Sequence, residues 1–141
     1  MWQKTFTARL EAWTALRDQC RTLDPELALK NINSWWFQCP WRAYHLHWDD
    51  LPTWPDPWEL LSDNLYCDVA RGLGILYTIS LLDHADLTDA ELVLTPEGHN
   101  LVLVNKRKYI LNWDPESIVN TNHKLEIKKQ LIQSQVQQKY N

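Results

Sequence analysis

Three residues carry the chemistry that this chain could perform: Cys67, His99 and Asp114. A cysteine thiolate attacks carbonyl carbon. A histidine, with its near-neutral pKa, takes the thiol proton and returns it to a leaving group. A carboxylate behind the imidazole fixes its tautomer and orientation. Cys67 follows the capping run Ser62-Asp63-Asn64 and opens a long apolar-patterned stretch. That predicts a place in the first turn of a helix, where free N–H groups and the helix dipole favour a thiolate. Cys20 falls on the apolar side of the first helical stretch and reads as core, and Cys39, between Gln38 and Pro40, is open to either role. A cysteine taken alone is more often buried filler than nucleophile. The order Cys, His, Asp, each on a suitable element, is what lifts Cys67 above that.

The elements that must hold these residues can be read from period and punctuation. Phe6, Leu10, Trp13, Leu16 and Cys20 recur at helical spacing, predicting a helix over 4–22. Asp24 and Pro25 form an N-cap and first-turn proline for a second helix over 25–33. From 34 to 58 four prolines and six of the nine tryptophans predict an irregular aromatic wrap, with a short extended piece over 42–48. Pro57 to Leu61 reads as a helical turn, and the central helix is placed over about 65–82. Then the period changes to short β-rich runs at 90–95, 99–104 and 108–113, joined by turns at Pro96-Glu97-Gly98 and Asn105-Lys106-Arg107. If the last two runs pair about a turn near 106, the partner of position 99 falls near 113, which brings Asp114 within reach of His99. The tail over 122–141 reads as a weakly amphipathic helix. The expectation is α+β: N-terminal helices and a central Cys-bearing helix packed on a small antiparallel sheet. One domain spans 1–141, divided into helices and wrap (1–56), core (57–115) and helical tail (116–141).

Three local motifs resemble the transglutaminase-like branch of the papain-like cysteine protease superfamily. Pro57-Trp58-Glu59-Leu60-Leu61 is similar to a lead-in before the nucleophile, Gly98-His99-Asn100 to the histidine strand, and Tyr109 to Pro115, with Trp113-Asp114-Pro115, to the terminal strand. The resemblance covers about 57–115. Leu65-Tyr66-Cys67 departs from it where the family usually has glycine. It implies a cysteine-dependent peptidase, amidase or acyltransferase with a Cys67–His99–Asp114 triad, working through a thioester on a peptide or amide substrate. It implies no cofactor and no metal. An oxyanion donor beside the Cys67 N–H would come from Trp36, Trp58, Asn64 or Tyr66. The missing glycine leaves room for an alternative, a catalytically silent scaffold whose partners are other proteins of a phage virion assembly such as a tail, baseplate or neck.

Bulk properties exclude several other classes. The chain has 141 residues, 45% of them hydrophobic, and a net charge of −4 without a basic patch, so no nucleic-acid partner is expected. No apolar run approaches the roughly 20 residues that span a bilayer, and Met1 to Thr5 does not open like a signal peptide. The expectation is a soluble protein of a cytoplasm, or of a virion if phage-encoded, without membrane partners. Three cysteines and no CxxC pair argue against both a disulfide framework and a zinc knuckle. His45, His47, Asp49 and Asp50 could bind a metal, but among so many indoles they read better as packing residues.

Overall fold

The computed structural model describes residues 1–43, 46–120 and 125–140. His45, part of the extended piece expected over 42–48, and the start of the tail expected over 122–141 lie outside them. Two helices open the chain. α1 (Phe6–Cys20) is capped by Thr5, and α2 (Pro25–Trp36) by Asp24 with proline in its first turn. Trp35 and Trp36 therefore finish α2 rather than begin the wrap, because no proline intervenes before Pro40 to stop the helix. A 3₁₀ segment (Trp48–Thr53) follows. α3 (Pro57–Asp63) starts on a reciprocal capping box between Asp56 and Glu59 and ends on Asn64, whose φ of +57° is the left-handed conformation that asparagine tolerates. Ser62 to Asn64 thus close α3, whereas they had been expected to open the central helix. That helix, α4 (Asp68–Leu82), begins later than expected and takes Cys67 as its N-cap.

α4 is the core of the molecule. Eleven of its residues, from Val69 to Leu82, are buried. It packs against α1, α2 and α3, and against the inner face of an antiparallel sheet. The strands are β1 (Glu91–Leu94), β2 (Asn100–Val104), β3 (Tyr109–Leu111), β4 (Val119–Asn120) and β5 (Lys129–Ile132), in the order β4-β3-β2-β1-β5. Leu92, Val102, Val104, Tyr109, Leu111 and Leu131 point to α4. Val93, Leu101, Leu103 and Ile110 form a second cluster on the outer face, against which Val119, Leu125 and Ile127 pack. The sequence expectation had three strands and a helical tail. The tail instead covers the outer face and pairs β5 with β1, Leu131 opposite Leu92, and among its described residues only the short α5 (Gln133–Gln137) is helical.

Close approach within this core depends on small residues. A Cβ added at Gly74 would lie 2.6 Å from the Trp36 ring. That ring cannot retreat, because its Nε1–H donates to Thr78 Oγ1 at 2.9 Å and it packs in T-shaped pairs with Trp35 and Tyr66. Gly74→Ala gains about 1 kcal/mol of helix propensity but overpacks a filled site at a cost of about 1–3 kcal/mol and more where the neighbour is pinned. A net loss of about 2 kcal/mol is expected, read as a Tm lower by roughly 5 °C in a thermal melt. An unchanged or raised Tm would contradict the packing described.

Candidate active site

Cys67 stands where the Trp- and Pro-rich segment is lashed to the chain before α4. Trp41 and Tyr66 form a parallel bridge: Arg42 N donates to Tyr66 O at 2.9 Å and Tyr66 N to Pro40 O at 3.0 Å. The next residue, Cys67, has extended backbone (ψ −178°) and its side chain makes no capping bond to the helix. Its Sγ instead accepts from Leu46 N–H at 3.3 Å and lies 4.0 Å from Leu46 O. At 5% exposure it forms part of the lining of a cleft of about 300 Å³ with Trp41, Leu46, Val69, Gly98 and Asn100.

His99 lines the adjoining cleft, of about 360 Å³, with Arg71, Asn112 and Trp113. Asp68, Gly98 and Asn100 line both, so the two clefts adjoin. The turn before His99 needs glycine at Gly98, where φ is +91°. Thr95 closes that turn: its N–H donates to His99 O and its hydroxyl accepts from His99 N. The imidazole itself is exposed and packs edge-on against Trp113, with centroids 4.8 Å apart.

Asp114 is held differently from the expectation. The β2–β3 register pairs Val104 with Tyr109 and Val102 with Leu111, and its continuation would set 114 opposite 99. The ladder stops first, because Asn112 turns to φ +68°. Asp114 Oδ1 then accepts from Glu116 N, and its carbonyl accepts from Asn33 Nδ2. Among the described residues no hydrogen bond joins Cys67 to His99, or His99 to Asp114.

The four oxyanion candidates lie away from both clefts. The Trp36 indole is spent on Thr78 in the core. Trp58 is a half-exposed first-turn residue of α3. Asn64 Oδ1 accepts from Trp2 Nε1. The Tyr66 hydroxyl donates to Leu60 O, and burial pushes its phenol up.

Two asparagines that the sequence reading did not single out connect the site. Asn112 donates through Nδ2 to Asp68 O at 2.9 Å and to Asn100 O at 2.8 Å, and its Oδ1 accepts from Arg71 Nε at 2.6 Å. One amide thus ties the start of α4 to the start of β2. Asn100 lies on the α4-facing side of β2, two residues before Val102, and its Oδ1 accepts from Trp48 Nε1 at 2.8 Å. The two-residue period of β2 was the available signal for Asn100. The other thiols are poor nucleophiles: burial pushes Cys39 up to about 12, against the opposing pull of the Arg71 charge, and burial also raises Cys20.

No family model and no curated protein matches the chain. Among solved structures, LapG of Legionella pneumophila superposes with a TM-score of 0.52, covering 89% of this chain and 70% of LapG at 17% identity. The chain has a papain-like fold. At that identity the likeness speaks for the arrangement of helices and strands. Among the described residues no helix is long and apolar enough to cross a membrane.

Proposed function

We propose that the protein is a cysteine-dependent peptidase, amidase or acyltransferase, with Cys67 as nucleophile, His99 as general base and acid, and Asp114 as the orienting carboxylate. One observation carries the reading: in a papain-like fold, Cys67 takes the N-cap position of the central helix at a cleft adjoining that of His99. LapG shares this fold over 89% of the chain. His99 is exposed beside Trp113 at the start of β2, and Asp114 stands in the sequence where an unbroken β2–β3 ladder would pair it with His99.

The steps follow from these groups. His99 takes the Cys67 proton, Sγ bonds to the substrate carbonyl carbon, and the C=O pair moves onto oxygen. Collapse expels the amine, which leaves with the proton held by His99, and an acyl thioester remains. Water or a second amine, deprotonated by His99, attacks the thioester and releases acid or a new amide. The proton returns to the thiolate. This chemistry needs no cofactor, and its partner is a peptide or amide.

Iodoacetamide labelling at pH 7 with peptide mapping tests the reading. Cys67 should react faster than Cys20 and Cys39, and His99→Ala should slow it at least about tenfold and abolish cleavage of a mixed peptide library. Labelling no faster than at the two buried thiols, or indifference to His99→Ala, would leave the silent assembly scaffold as the better description.

A further inference from the structure

We propose that the side-chain amide of Asn100 is the second oxyanion donor of the Cys67 site. The assignment rests on the cysteine-nucleophile reading and gives it a catalytic group that the residues first considered do not supply.

The orientation of this amide is fixed by elementary chemistry. An indole N–H only donates, so the Asn100 atom 2.8 Å from Trp48 Nε1 must be the carbonyl oxygen. Nδ2, with its two hydrogens, is then the other end. Among the described residues no hydrogen bond from Nδ2 is found, and Asn100 lines the cleft that Cys67 lines. Trp48 is itself held, edge-on to Trp54 at 5.1 Å, with Trp54 Nε1 bonded to His47 O. The Asn100 main chain is pinned separately, its carbonyl accepting from Asn112. Among the described residues the amide is therefore a preorganised donor, held through its oxygen and its main chain and unspent at Nδ2. A substrate carbonyl attacked by Sγ develops its negative charge inside this cleft, and of the residues lining it Trp41 and Asn100 carry a side-chain N–H; Trp41 is largely exposed at 61%, whereas Asn100 is held from both ends.

The test compares two thiol reagents on the full chain. A peptide aldehyde adds to Sγ: the S–C bond forms, the carbonyl pair moves to oxygen, and that oxygen needs a donor. Iodoacetamide alkylates the same sulfur by displacing iodide and develops no such oxygen. For wild type, Asn100→Asp and Asn100→Ala, an N-acetylated dipeptide aldehyde is titrated and the iodoacetamide rate at Cys67 is measured. Asn100→Asp keeps the acceptor for Trp48 but has no N–H, and any effect of its charge on the thiol appears in the alkylation arm. Relative to that arm, aldehyde affinity should fall at least about tenfold in both variants. An unchanged ratio would overturn the Asn100 assignment while leaving Cys67 as nucleophile. A wild-type Cys67 inert to both reagents would remove the cysteine-nucleophile reading, and this assignment with it.

Discussion

Thr78→Val should lower stability by about 3–5 kcal/mol and Tm by roughly 10–15 °C, although it exchanges one hydroxyl for one methyl in a filled core. Thr78 is fully buried in the middle of α4. Its Oγ1 accepts from Trp13 Nε1 at 2.8 Å and Trp36 Nε1 at 2.9 Å, and donates to Gly74 O at 2.7 Å. One hydroxyl thus satisfies two buried indoles, one from α1 and one from α2. Valine keeps the shape and opens no cavity, so the loss comes from stranding two N–H donors away from water at about 1–3 kcal/mol each. Thr78→Ser separates the terms: it keeps the acceptor and removes only a methyl, for about 1 kcal/mol. Chemical denaturation of both variants provides the check. A Thr78→Val protein within about 1 kcal/mol of wild type would mean that the indoles find other acceptors.

The same hydroxyl shows what the sequence could and could not disclose. Where one local signal sufficed, the reading and the structure agree: Asp24-Pro25 begins α2, Pro57 begins α3, and Asn105 to Arg107, all at positive φ, turn the β2–β3 hairpin. The α+β architecture follows from those local signals. The tail was misread for a physical reason. Leu125, Ile127, Leu131, Ile132 and Val136 can be fitted to a helical spacing, but Leu125 and Ile127 pack on the outer sheet face and Leu131 pairs across to Leu92, partners supplied only by the tertiary fold. The site divides in the same way. Cys67 and His99 were legible as a helix-start cysteine and a strand-start histidine. The end of the ladder was not, because it depends on the backbone of Asn112, and that backbone is set by groups from α2, α4 and β2 that meet only in three dimensions.

Asn112 is therefore where fold and site are coupled most tightly, and Asn112→Ala should damage both. The substitution strands Arg71 Nε and the carbonyls of Asp68 and Asn100, and it places alanine at φ +68°, which costs about 1 kcal/mol or more by itself. A total of about 3–5 kcal/mol is expected. The backbone N–H of Asn112 still reaches Asn33 Oδ1, so the α2 contact survives and the loss is confined to the seam between α4 and β2. Asn112→Gly removes the same amide without the strain, so the two variants should differ by about 1 kcal/mol in favour of glycine. Among the described residues the amide is also the one side chain hydrogen-bonded both to the residue after Cys67 and to the residue after His99. With it gone, the helix start and the strand start lose their common tie. Iodoacetamide labelling of Cys67 should then lose its dependence on His99 even at temperatures where Asn112→Gly is fully folded. Retention of the wild-type His99 dependence in folded Asn112→Gly would show that packing alone, through Gly72 against Leu92, sets the spacing of the two elements.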